Sequence, residues 1–383
     1  MKNSRGTRKT ETRTAIRSSR RVVVKVGSRL LSGKEGGVNS RFVGRLAGQI
    51  ADLRRQGKEV LLVTSGAIAA GSRELGLKRR PGTLPDLQAT AAVGQAILMH
   101  IYHQAFRRRG FRVGQVLLTR EGLHHRDRHL NARHTLLALL GRNIIPIINE
   151  NDTVAVDEIR FGDNDQLAAL VANLVGADLL VLLSDVDGLL TPASRSGSAR
   201  EVIGRVEKIT PAVMALVQDG GGEYSRGGMG SKLEAAGIVT RAGGRAVIAN
   251  GTRSAVLTDI ARGEPVGTYF PTAFSRLRSR KCWIAFSCLK KGRILVDEGA
   301  RRALAEGGKS LLASGVTAVE GPFGTGDMVS IAGPDGTEFS RGLVNYSSRE
   351  VEMIRGEQTG RIKAILGSRP YDEVIHRDNL LIL

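Results

Sequence analysis

The stretch Ile144–Asp165, I-I-P-I-I-N-E-N-D-T-V-A-V-D-E-I-R-F-G-D-N-D, decides both the fold class and the place to look for chemistry. It opens as an unbroken apolar run, the pattern of a strand covered on both faces in a parallel sheet. It then turns polar at Asn149, Glu150, Asn151 and Asp152 and passes through a β-branched excursion. It ends on Asp163, Asn164 and Asp165, where an apolar helical pattern begins. A capped helix needs one such residue, and Asp163 would serve. Three polar residues here, with four more just upstream, exceed that need and point to a ligand site.

Working outward, the same kind of apolar run recurs at Val22–Val26, Val60–Val63, Val113–Leu118, Leu179–Leu183 and Ala246–Ala249. Between the first two, Phe42, Val43, Leu46, Ile50 and Leu53 fall at helical spacing, with Ser40 as the expected cap and Gly57 as the stop. Helical segments are expected near Asp165–Leu174 and Lys232–Ala242. Continuous strands alternating with helices predict a three-layer α/β/α domain with a mainly parallel sheet, over residues 22–270. Residues 271–278 read as a linker. In residues 279–367 short apolar stretches sit between Gly-rich turns, with a helix expected at Gly299–Ala305, so a small, mostly β, barrel-like module follows. Residues 368–383 are left as a C-terminal extension. Residues 1–21 carry eight Lys/Arg against one Glu and read as a disordered basic tail.

Composition narrows the function. No run of about 18 apolar residues is present, so no membrane span is expected, and the first residues lack the apolar core of a secretory signal. Cys282 and Cys288 are the only cysteines, which suits a reducing compartment and predicts a cytoplasmic protein. The net charge of +20 invites a nucleic-acid reading, but the excess is spread along the chain. Residues 280–367 hold 13 Lys/Arg against 10 Asp/Glu. A positive field also suits an anionic substrate.

Each strand of the first domain ends in a distinctive loop: Lys25-Val26-Gly27-Ser28, Thr64-Ser65-Gly66-Ala67, Asn149–Asp152 and Ser184-Asp185-Val186-Asp187-Gly188. In a parallel sheet these ends converge on one edge. Lys25 interrupts an apolar strand, where a lysine is costly unless an anion pairs with it, either a neighbouring carboxylate or a bound phosphate or carboxylate. The segment Gly220–Lys232, G-G-G-E-Y-S-R-G-G-M-G-S-K, places a lysine after six glycines and at the opening of an apolar helix, which is the make-up of a phosphate cradle. Two lysines, a Gly-rich loop and clustered carboxylates suit phosphoryl transfer, which needs positive charge on the moving group and little covalent help. Other phosphate motifs fail: Gly308-Lys309-Ser310 lacks the leading glycine at Ala303, and no dinucleotide or protein-kinase signature is present. His124, His125, His129 and His134 lack a clean ligand spacing, so no protein metal site is expected.

The motifs V-V-K-V-G-S, V-T-S-G-A-I-A-A-G, A-A-V-G-Q, L-L-T-R, N-A-R, I-I-P-I-I-N-E-N-D, G-D-N-D, L-L-S-D-V-D-G-L and G-G-M-G-S-K-L-E-A-A occur in that order. The set resembles the glutamate 5-kinase family, of the amino-acid-kinase fold, across about residues 22–270. Residues 279–367 resemble the PUA domain that many members carry. The resemblance implies transfer of the γ-phosphoryl group of ATP to the side-chain carboxylate of L-glutamate, a step toward proline, with Mg²⁺ travelling on the nucleotide. It further implies a homo-oligomer and inhibition by proline, with RNA binding by the PUA domain left open. By the same resemblance, Lys25 and Lys232 contact the transferring phosphates, and Asp165 or Asp163 holds them. Ser65, Gly66, Asp152 and Asn164 bind glutamate. Ser184, Asp185, Arg226, Gly227, Gly228, Met229, Gly230, Ser231 and Lys232 bind ATP, together with Lys25. Ser184 and Arg226 stand where members commonly have Thr, and Leu190 where a Tyr is frequent. Two other readings stay open: a sister kinase of the same fold acting on another acid, and an RNA-binding protein built on residues such as Lys290, Lys291, Arg293, Arg301 and Arg302.

Overall fold

The computed structural model describes residues 15–33, 36–155, 164–192, 200–218, 228–272, 290–367 and 371–383, the side chains of 126 and 127 apart. Asp163, Arg226, Gly227, the linker from residue 273 onward and both cysteines lie outside the described residues. The chain divides into two compact units near residue 276.

The first unit is built on a seven-stranded sheet. Its strands are β1 (Arg21–Val26), β2 (Glu59–Val63), β3 (Arg112–Leu118), β4 (Ile144–Glu150), β5 (Leu179–Ser184), β6 (Arg245–Asn250) and β7 (Thr268–Phe270), in the order β3-β4-β2-β1-β5-β6-β7. All neighbours run parallel except β7, which is antiparallel to β6. The central strands are buried along nearly their whole length, as continuous apolar sequence requires when helices cover both faces. Val22, Val24 and Val26 of β1 join one core together with Phe42, Leu46 and Ile50. Alternation along the strand turns Val23 and Lys25 to the opposite face.

The longer helices of this unit are α1 (Ser40–Arg55), α2 (Ala67–Glu74), α3 (Leu84–Arg107), α4 (Arg126–Gly141), α5 (Asp165–Val175), α6 (Pro211–Gln218), α7 (Gly228–Arg241) and α8 (Val256–Ala261). The cap of α1 is Asn39, whose side chain accepts from the Phe42 amide, so Ser40 is already helical rather than the cap. The amide-accepting geometry favours Asn one residue earlier. The lysine expected to open a helix instead lies one turn inside α7, where its Nζ donates to Gly228 O at 2.8 Å.

Two boundaries move. The basic tail does not extend to residue 21. Ile16 is buried in the core, Lys58 Nζ donates to the carbonyls of Arg17 and Ser19, and the amides of Arg20 and Arg21 both donate to the Asp178 carboxylate at 2.8 Å. Arginine-rich composition hid one apolar anchor and a backbone that finds partners. The C-terminal extension is likewise part of a fold. The second unit carries a five-stranded sheet of β8 (Lys290–Val296), β9 (Val316–Glu320), β10 (Met328–Ala332), β11 (Glu338–Leu343) and β12 (Leu380–Ile382), and β12 is the edge strand beside β11. Val374, Ile375 and Leu380 enter that unit's core with Ile294, Val329 and Ile331. Two further helices, α9 (Glu298–Ala305) and α10 (Ser348–Ile354), pack on it, the latter started by a capping box between Ser347 and Glu350.

Candidate active site

The C-terminal ends of β4, β2, β1 and β5 lie side by side and carry the polar residues. Lys25 is in register with Val63 on β2 and Leu182 on β5, so it sits near the end of its strand. Its Nζ is 2.6 Å from Asp165 Oδ1. From the other side, Lys232 Nζ reaches Asp165 Oδ2 at 2.8 Å, and Ser231 Oγ donates to the same oxygen at 3.2 Å. Lys25 is 3% exposed, Lys232 7% and Asp165 0%. Burial by itself would raise the Asp165 carboxyl, but the two ammonium groups override it and bring its pKa down to about 2. Within this trio two cations face one anion. Two fixed ammonium groups held close together are suited to an anionic group. Asp165 pairs with both lysines, while Asp163 lies outside the described residues.

Beside the trio lies a network of neutral polar groups. Asn164 occupies the cap position of α5 but makes no capping bond. Its Nδ2 donates instead to Thr64 O at 2.6 Å, Asn149 Oδ1 at 2.9 Å and Ser65 Oγ at 3.2 Å. Asn149 Nδ2 donates to Gln95 Oε1 at 2.8 Å, and the Thr64 hydroxyl shares a 2.7 Å hydrogen bond with the Tyr102 hydroxyl. Gly66 follows with φ +102°, a conformation glycine adopts without strain, and α2 starts at once. Gly71 and Gly94 then let α2 and α3 touch backbone to backbone: a Cβ on Gly94 would lie 1.8 Å from Ala67 O. Asp152 stands in the turn after β4, where burial raises its carboxyl to about 6 against the opposing pull of Arg80.

On the β5 side, Ser184 Oγ donates to Asp185 Oδ1 at 3.0 Å, and Arg29 Nη1 pairs with Asp185 Oδ2 at 3.0 Å. Burial opposes ionisation of Asp185, but the hydrogen bonds from Arg29, its own backbone and Ser184, with the Arg29 charge, hold its pKa below the usual carboxylate value.

The arrangement therefore gathers Lys25, Lys232, Ser231 and Asp165 in one cluster, Ser65 and Asn164 in a second, and Ser184 with Asp185 in a third. Gly228, Met229 and Gly230 form the first turn of α7. Sequence reasoning gave no role to Asn149, Gln95, Tyr102 or Arg29. Asn149 and Gln95 were visible inside quoted motifs, but nothing in one sequence says which way a carboxamide turns.

Comparisons with known proteins match both parts of the chain. The amino acid kinase family model matches residues 20–250 and the PUA domain model residues 292–366. Glutamate 5-kinase of Moorella thermoacetica is 47% identical over 373 residues, covering 97% of this chain and 99% of that protein. Glutamate 5-kinase of Citrifermentans bemidjiense is 49% identical over 368 residues, covering 96% and 99%. The chain belongs to the glutamate 5-kinase family. Among solved structures, carbamate kinase from Giardia lamblia bound to AMP-PNP aligns with TM-score 0.48 at 19% identity, over 67% of this chain and 99% of that one.

The cations singled out on the second unit are mostly neutralised within it. Lys290 pairs with Glu338 at 3.0 Å, Arg293 with Glu320 at 3.4 Å, Arg301 with Glu298 at 3.6 Å, and Arg302 with Glu298 at 3.7 Å. Interleaved acids leave little of the one-signed field that nucleic acid needs.

Proposed function

We propose that this chain transfers the γ-phosphoryl group of ATP to the side-chain carboxylate of L-glutamate, giving L-glutamyl 5-phosphate. The observation that carries the reading is the buried trio in which Asp165 holds Lys25 and Lys232 at 2.6 and 2.8 Å. A carboxylate acceptor is already ionised at neutral pH, so its oxygen attacks the γ-phosphorus without a general base. Negative charge then spreads over the transferring oxygens, and two fixed ammonium groups in a water-poor site stabilise it.

Ser65, Gly66, Asp152 and Asn164 receive the glutamate. Asp152 offers a negative charge to the α-ammonium group, and the Gly66 turn offers amides to a carboxylate. The nucleotide lies over Lys25, Ser184, Asp185 and the loop from Arg226 to Lys232. Mg²⁺ would come as part of the nucleotide substrate and would offset the charge of its phosphates. The near-full-length identity to glutamate 5-kinases supports glutamate over the acids used by sister kinases. Placement in proline synthesis, inhibition by proline, a homo-oligomeric state and a cytoplasmic location belong to the same reading. No described helix is long and apolar enough to cross a membrane.

The test is product formation from ATP with glutamate, set beside aspartate, N-acetylglutamate, carbamate and nucleoside monophosphates. Turnover with one of the others and none with glutamate overturns the assignment.

A further inference from the structure

Hydrogen-bond direction can be followed from one unambiguous atom through three side chains. A backbone carbonyl only accepts, so Thr64 O, at 2.6 Å, requires that the Asn164 atom facing it be Nδ2. That amino group also faces Asn149, which must therefore present Oδ1 at 2.9 Å. The other end of Asn149 is then its Nδ2, and it needs an acceptor. Gln95 supplies one with Oε1 at 2.8 Å. The last group in the series, Gln95 Nε2, is buried and has no hydrogen-bond partner among the described residues. An unpaired buried donor is a cost, and it is incurred here in the one orientation that serves Asn149.

We propose that Gln95 is a positioning residue for the acceptor substrate: by accepting from Asn149 it fixes both asparagine carboxamides and leaves Asn164 Oδ1 to receive the substrate's ammonium group. No donor among the described residues reaches that oxygen. Gln95 is held in place by its neighbour. Gly94 seats α3 directly against the Ala67 backbone, which fixes the height of Gln95 relative to the loop carrying Ser65 and Gly66. The residue acts through Asn149 and Asn164 and touches neither substrate. A chain lacking this acceptor lets Asn149 rotate its carboxamide, which turns a donor toward the Asn164 amino group and disfavours the binding orientation.

The proposal rests on glutamate binding at Asn164, so the experiment separates the two. Glutamate KM and ATP KM are measured for Gln95→Met, Gln95→Glu and Asn164→Ala, with a melting curve for each. Gln95→Met keeps the volume but removes the acceptor, and its glutamate KM rises about ten-fold relative to its ATP KM, as expected for loss of one buried hydrogen bond. Gln95→Glu keeps an acceptor toward Asn149 and returns the ratio to within about three-fold of the parent. The ratio of the two KM values reads out positioning even where Gln95→Met lowers the melting temperature, because a merely structural defect moves both. Three results overturn the proposal: an unchanged ratio in Gln95→Met, an equal rise in Gln95→Met and Gln95→Glu, or a parallel rise in both KM values. If Asn164→Ala leaves glutamate KM unmoved, the placement of glutamate itself is wrong. If Asn164→Ala moves it and Gln95→Met does not, only the role of Gln95 is lost.

Discussion

At the scale of single residues, Asp165 and its two lysines respond differently to removal. Lys25→Ala or Lys232→Ala leaves Asp165 with one cation still within 3 Å, so the buried carboxylate stays paired and the fold is kept. The transition state loses one fixed charge, about 3–4 kcal/mol, and turnover falls by a few hundred-fold. Asp165→Ala leaves two buried ammonium groups without their anion and costs stability of about 3–5 kcal/mol as well as activity. Calorimetric melting with single-turnover rates distinguishes the cases; a folded Lys232→Ala protein turning over at the parental rate is incompatible with the proposed chemistry. Asp152 gives a pH prediction. Its folded pKa is raised to about 6, so the protonated form is favoured in the fold, and any stability it lends is present below the ordinary carboxylate value and lost as pH rises through 6. Asp152→Asn is therefore expected to melt higher than the parent at pH 8. Substrate binding has the opposite sign, since only the ionised form attracts an ammonium group. Glutamate KM should climb as pH drops below about 6 in the parent, with no such bend in Asp152→Asn, whose KM is high throughout. A lower melting temperature for Asp152→Asn at pH 8 would show that burial does not raise this group.

Elements explain how much could be read beforehand. The parallel strands β1, β2, β4, β5 and β6 were legible because a strand buried on both faces is a largely unbroken apolar run, whereas β3, at the sheet edge and only half-buried, was legible from Val113 and Val116–Leu118 despite the interruption at Gly114 and Gln115. The α2–α3 pair was not legible. Its packing depends on Gly71 and Gly94, which show in a sequence only as weak helix formers. The anchor at Ile16 and the edge strand β12 were hidden for a related reason: each joins a core that only tertiary contact reveals. Within the site, the residue types were legible and the partners were not. Asn164 looked like either a cap or a ligand, and the decision lies in its bond to Thr64 O rather than to its own helix. The glycine contact yields its own prediction. In Gly94→Ala the new methyl would collide with Ala67 O at 1.8 Å, and that atom is backbone with no rotamer to yield. Helices α2 and α3 must separate, costing about 1–3 kcal/mol as overpacking does. Because Ser65 and Gly66 precede α2, glutamate KM should rise while ATP KM holds. Denaturant melts together with both saturation curves check it, and an unchanged midpoint would mean that the helices are not held at this contact.

At the scale of the whole molecule, the proposed chemistry lies in one unit. The assigned site residues fall between Lys25 and Lys232, and the sheet that aligns them has its own core, running from Ile16 to Tyr269. The second unit has a separate core, from Ile294 to Leu380. A unit with its own core and complete site is expected to fold and work alone. A chain ending near residue 276 should therefore keep glutamate-dependent turnover within about an order of magnitude of the parent, with changes concentrated in regulation or assembly. The measurement is product formation over a full range of glutamate concentrations, with nucleotide binding by the same preparation as proof of folding. A soluble truncation that binds ATP yet makes no product at any glutamate concentration would show that the second unit completes the site. The second unit alone provides the complementary test. Its exposed arginines and lysines are interleaved with Glu298, Glu320 and Glu338, so any affinity for structured RNA should be weak and vanish with modest salt. Tight binding that survives physiological ionic strength would mean that this unit reads RNA through contacts other than charge, and that phosphoryl transfer is not the chain's sole activity.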